Sequence, residues 1–237
     1  MANAALRLAL LLAYAPAFAA AQAPAGLPSP IIIDAGHGGE DLGAVVRGRR
    51  EKDITLAIAL KLKARLEKLA ATPVRLTRDS DTFIQLDERV GDGLNQDGGA
   101  FISLHVNVVR SKKLAGITVY SFGKSSWRDR RPLRRKVAPL PQPSQDQARA
   151  GADFAGSIAR GLRADGFRVE PAARAQYYVL KNPRQPSILI ELGYLSNPAE
   201  AARLVDPAYQ DKLADALARS LTAYQAGRAE GVAAQAR

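Results

Sequence analysis

Strand-like and helix-like patterns alternate along this chain, and they predict a three-layer αβα domain with a mostly parallel central sheet of about six strands. Three observations carry that expectation. Short runs such as Ile31–Ile33 and Ser187–Ile190 are apolar on both faces, as strands inside a parallel sheet are. Stripes of Ile and Leu at helical spacing lie between them. Glycine and proline clusters mark the boundaries. At 237 residues, with 47% apolar side chains, the chain suits one domain plus tails and can bury a sizeable core. It contains no internal repeat.

The elements follow in order. Residues 1–23 place Arg7 before the apolar run Leu8–Ala15 and then a small-residue stretch with A-x-A cleavage sites, the pattern of a signal peptide. The apolar run is short for a bilayer span, and the alternative is a first helix of the fold. Residues 24–30 hold three prolines and read as a linker. Ile31–Asp34 is a strand. After a glycine-broken loop, Ile54, Ile58, Leu62, Leu66 and Leu69 define one face of a helix. Pro73–Thr77 is a second strand, followed by a turn in which Asp81 or Thr82 could serve as N-cap to a helix from Phe83 to Leu94. Residues 100–104 and 116–122 are strands, the latter near an edge. Residues 123–146 form a basic, proline-rich insertion. Phe154, Ile158 and Leu162 mark a helix, Gln176–Leu180 and Ser187–Ile190 are strands, and Tyr209 to Tyr224 is a closing helix. The domain so delimited is 31–225, and 226–237 reads as a disordered tail.

Charge and cysteine usage narrow the function. The net charge of +11, from 34 Lys and Arg against 23 Asp and Glu, favours an anionic partner. The candidates are nucleic acid, acidic lipid and an anionic wall polymer; charge does not choose among them, and export through a signal peptide weakens the nucleic-acid reading. With no cysteine, disulfides, thiol catalysis and Cys-ligated zinc are excluded.

Polar residues collect at the carboxyl ends of the expected strands, where open α/β sheets bind ligands. His37 lies three residues past Asp34, His105 follows Leu104, and Glu191 follows Ile190. Glu51 opens the first helix at the same rim. Each has a plain alternative: a packed histidine, a helix N-terminal acid favoured by the dipole, a glutamate paired with an arginine. Together, two histidines and a carboxylate with one position left for water make a catalytic zinc set. Imidazole favours zinc over magnesium. Such an ion lowers the pKa of its water and polarises a carbonyl. A second carboxylate must then accept a proton and return it to the leaving group, and burial at a strand end suits Glu191 to that task.

The ordered pieces IDAGHGGEDLGA (33–44), EKD (51–53), LTRDSDTFIQLDER (76–89), FISLHVN (101–107), GITVYSF (116–122) and YYVLKNPRQPSILIELGYLSN (177–197) resemble the zinc-dependent N-acetylmuramoyl-L-alanine amidases of the type 3 family. That resemblance implies His37, Glu51 and His105 as ligands of one Zn2+ and Glu191 as the catalytic glutamate. It implies hydrolysis of the amide between the lactyl group of N-acetylmuramic acid and L-alanine of the peptidoglycan stem peptide, in wall remodelling and daughter-cell separation. The expected protein is an exported, periplasmic monomer with peptidoglycan as partner, a protein activator as a second candidate partner, no nucleic acid and no stable membrane insertion.

Two points depart from the family. Val90-Gly91-Asp92 follows the ER pair where relatives have alanine and asparagine. Residues 111–150 contain no glutamate, only Asp129 and Asp146 as acids, which argues against an acidic plug on the zinc. Arg128, Arg130, Arg131, Arg134 and Arg135 in that insertion are expected to hold anionic wall polymer or an acidic partner. The rival functions are a zinc peptidase acting on the stem peptide and a peptidoglycan-binding module without turnover.

Overall fold

The computed structural model describes residues 30–69, 73–94, 99–124, 139–182 and 184–235. The expected signal peptide, most of the expected linker and the arginines of the expected basic insertion lie outside them. The elements are β1 (Ile31–Ala35), β2 (Val45–Val46), β3 (Arg49–Arg50), α1 (Glu51–Leu69), β4 (Val74–Leu76), α2 (Leu86–Leu94), β5 (Ala100–Asn107), β6 (Thr118–Phe122), α3 (Gln145–Ala164), β7 (Ala173–Ala175), a 3-10 turn (Tyr178–Leu180), β8 (Ser187–Tyr194), α4 (Pro198–Leu204) and α5 (Pro207–Gln235).

Six strands form the central sheet in the order β4-β1-β5-β8-β6-β7. The four from β4 to β8 run parallel; β6 pairs antiparallel with β8, and β7 runs parallel to β6. The strands alternate their side chains between two cores. Ile31, Ile33, Ile102, Leu104, Ile188 and Ile190 point to one face, where α1, α3 and α5 cover them. Ile32, Phe101 and Leu189 point to the other, under Val90 of α2 and the 3-10 turn. Each fully buried Ile, Leu or Phe contributes about 1.5–3 kcal/mol, so this two-sided burial is what fixes the strand register. Helix α1 buries Ile54, Ile58, Leu62 and Leu66, as the spacing requires, while Leu69 at its end is 55% exposed. On its outer side Lys61 and Arg65 reach Asp211 and Asp215 of α5 at 2.7 Å. Among the described residues no helix is long and apolar enough to cross a membrane.

Several elements differ from expectation. Strands β5 and β8 run on past residues 104 and 190, so His105 and Glu191 lie inside strands rather than just after them. The segment around Tyr178–Leu180 is a 3-10 turn, all three residues buried, and the strand is β7 just before it. Helix α2 begins at Leu86, because Glu88 accepts from the Gln85 amide and starts the helix there. Asp81 is therefore no N-cap; it bonds the Gly39 amide and Lys52 instead. The hairpin β2–β3 and helix α4 were not expected. The closing helix continues to Gln235, replacing most of the expected disordered tail, since Ala, Gln and Arg extend a helix already nucleated.

Candidate metal centre

Strands β1, β5 and β8 lie side by side and parallel, and their carboxyl ends make the rim on which the site stands. His37 leaves β1 in a loop whose backbone is left-handed at that residue, with φ 62°. A non-glycine residue there is uncommon and must be held by its surroundings. Glu51 is the first residue of α1 and only 4% exposed. His105 comes from inside β5.

These three side chains meet. Glu51 Oε2 lies 3.1 Å from His37 Nε2, and Glu51 Oε1 lies 2.9 Å from His105 Nδ1. The imidazoles stand edge to face, with centroids 4.9 Å apart. Backbone amides of Ala44 and Val106 donate to the same carboxylate at 2.8 and 2.9 Å. One donor atom from each of the three residues falls within 4.8 Å of the others. The two imidazoles keep 22% and 21% of their side-chain surface open, so the cluster is reachable from solvent.

Electrostatics follow from the packing. Burial alone would raise the Glu51 pKa, but hydrogen bonds with His105 and His37 and their charges hold it well below the usual carboxylate range. Burial works against a charged His37, yet hydrogen bonds and charge from Asp41 and Glu51 outweigh it and raise its pKa to about 9. A cation approaching Nε2 therefore competes with a proton. Asp41 Oδ2 accepts from His37 Nδ1 at 2.9 Å, which turns Nε2 toward Glu51. A carboxylate behind a ligating imidazole is the usual way to fix ring and tautomer at a metal.

The residues fit a small divalent cation. Two imidazoles and one carboxylate are the donor set of a catalytic zinc site with an open fourth position. The loops pass so close to these side chains that two positions admit no Cβ. A Cβ on Gly43, where φ is 64°, would stand 2.6 Å from His37 Cδ2 and 2.7 Å from Glu51 Oε2. A Cβ on Gly36 would stand 2.6 Å from His105 Nε2.

Glu191 sits in β8 directly opposite His105 in register, and Thr118 of β6 is opposite Glu191 on the other side. All four residues singled out from sequence thus reach one rim, three in mutual contact and the fourth one strand away. Sequence reasoning missed the supports. Asp41 carried a signal, four residues beyond His37. Gly36, Gly43, Arg78 and Arg89 lay within the quoted motifs without an assigned role, and only tertiary structure shows what they touch.

Residues 31–223 match the family model of N-acetylmuramoyl-L-alanine amidases. The probable cell wall amidase LytH of Staphylococcus saprophyticus is 34% identical over 169 residues, covering 70% of this chain and 47% of that protein. The chain spans about half the length of the first curated relatives it matches. The catalytic domain of the amidase CwlV from Bacillus (Paenibacillus) polymyxa superposes with a TM-score of 0.67 at 31% identity, over 83% of this chain and 97% of that one. The CwlD amidase of Clostridioides difficile, solved in complex with the GerS lipoprotein, gives a TM-score of 0.67 at 29% identity over 84% of this chain and 98% of that one.

Proposed function

This chain belongs to the family of N-acetylmuramoyl-L-alanine amidases, and from that premise we propose that it hydrolyses the amide joining the lactyl group of N-acetylmuramic acid to L-alanine of the peptidoglycan stem peptide. His37, Glu51 and His105 would hold one zinc ion. The observation that carries this reading is the contact of those three side chains on a rim where Glu191 is the register partner of His105.

Bound there, zinc would supply Lewis acidity toward the lactyl carbonyl and lower the pKa of water at the open position. The protein supplies the rest. Glu51, held by two backbone amides, keeps both oxygens turned to the imidazoles. Asp41 fixes the His37 ring from behind. Glu191 takes a proton from the attacking water and delivers it to the alanine nitrogen as the C–N bond breaks, leaving a lactyl carboxylate and a free amine.

A wall substrate requires export, and the reading includes a periplasmic location and a role in separating daughter cells. A protein activator is also included, supported by the solved complex of the similar CwlD amidase with a lipoprotein. The test is a digest of purified sacculi followed by mass spectrometry. Release of intact stem peptides that begin with L-alanine, blocked by chelator and by Glu191→Gln, is expected. Shortened stem peptides would make the protein a peptidase, and binding without products would make it a wall-binding module.

A further inference from the structure

The loop that delivers His37 is held by its own carbonyl groups. Arg89 of α2, 3% exposed, donates from Nη1 to the carbonyl of Ala35 at 2.8 Å and from Nη2 to the carbonyl of His37 at 2.7 Å. Its Nη1 also reaches Asp34 Oδ1 at 2.7 Å. Arg78, 4% exposed, donates from Nε to Ala35 O at 2.8 Å and from Nη2 to Gly36 O and to Lys52 O, both at 2.9 Å. Three consecutive carbonyls therefore turn inward onto two buried guanidiniums, and Arg78 also ties the His37 loop to the first turn of α1, where Glu51 begins.

This arrangement is costly. Burial and the neighbouring Arg89 charge both push the Arg78 pKa down, with Asp34 offsetting part of it. Buried ion pairs of this kind add little to stability against an apolar filling. What the forks do accomplish is local. His37 has a left-handed backbone at φ 62°, and its carbonyl is fixed by Arg89.

We propose that Arg89 is a positioning residue for the cation site: its planar fork holds the His37 backbone in the conformation that aims Nε2 at Glu51. The inference rests on the reading of His37, Glu51 and His105 as a zinc site. Its chemical content is the fork itself rather than the charge. A lysine at 89 would keep a cation beside Asp34 but could not bridge the carbonyls of Ala35 and His37 together.

The test compares zinc affinity of wild type and Arg89→Lys by competition with a chromophoric chelator, and the visible spectrum of each after cobalt substitution. The expected result is a loss of about 10-fold or more in zinc affinity with an altered cobalt spectrum. Ile158→Val, on the buried face of α3, serves as a control that lowers the unfolding temperature and leaves both readouts alone. Wild-type affinity and spectrum in Arg89→Lys would overturn the inference. Should Arg89→Lys not fold, hydrogen exchange on wild type without metal decides. The amides of Gly36 and Gly38, bonded to Leu104 O and Asp41 O, are expected to be protected before zinc is added, and exchange at open-loop rates would overturn the proposal. Wild type that takes up no zinc at all would instead defeat the metal reading on which the inference rests.

Discussion

His105 and Glu191 are in-register partners on the adjacent parallel strands β5 and β8. Neighbours in register point to the same face of a sheet. Leu104 and Ile190, one residue earlier in each strand, both enter the core under α1, α3 and α5, so His105 and Glu191 share the opposite face at the rim. A metal-ligand candidate and a proton-transfer candidate are thereby set side by side by backbone hydrogen bonding alone.

Replacing Glu191 by Gln keeps its size and removes its basicity. The expected outcome is a loss of about 10²–10⁴ in kcat, with zinc content and the unfolding temperature near those of wild type. Steady-state kinetics on a soluble muropeptide, together with elemental analysis, measures both. A variant with kcat within a few-fold of wild type would remove Glu191 from the reaction.

Gly43→Ala should damage the site beyond its effect on stability. The added methyl meets His37 and Glu51 at under 3 Å and sits at φ 64°. Gly48→Ala is the matched control, with φ 78° and open space around it; only backbone strain of about 1–2 kcal/mol applies there. Zinc affinity is expected to fall sharply in the first and to hold in the second, while urea denaturation gives a larger loss in the first, where the clash adds to the strain.

Acid stability should depend on Asp34. Burial alone would raise its pKa, but the Arg89 charge and hydrogen bonds from Ser103, Arg89 and Thr77 outweigh it and lower the value. A group with a lowered folded pKa contributes stability that is present above its unfolded value of about 3.9 and is lost as pH falls through the folded value. Asp34→Asn is therefore expected to be less stable than wild type at pH 7, with the gap narrowing below pH 4. Denaturation midpoints in chelator from pH 7 to pH 3 test this, and a gap that stays constant would contradict it.

The α3–α5 packing offers a stability test far from the rim. Phe154 is fully buried and stacks on Tyr224 with centroids 4.3 Å apart. Phe154→Ala should cost about 3–5 kcal/mol and leave zinc affinity unchanged in the folded protein.

Much of this was legible in the sequence because the core speaks through local pattern. Ile31–Ile33 and Ser187–Ile190 are buried on both faces and read as interior strands; Ile54, Ile58, Leu62 and Leu66 read as a helix face. Glu51 and the two histidines stood out by residue type and position. Tyr178–Leu180 did not, since a short buried aromatic and apolar run looks the same whether it extends or turns. The ends of β5 and β8 were misplaced because strand length is set by the partner's hydrogen bonds, not by the apolar run. Asp34 read simply as a strand end. Its partners Thr77, Arg89 and Ser103 lie 43, 55 and 69 residues away, and no local pattern joins them.

The central claim is that His37, Glu51 and His105 share one cation. Elemental analysis of purified protein, loaded with zinc and then dialysed, tests it most directly. The account predicts one zinc per chain in wild type and close to none in His37→Ala and His105→Ala. Wild type that retains no zinc, or either variant retaining a full equivalent, would contradict it.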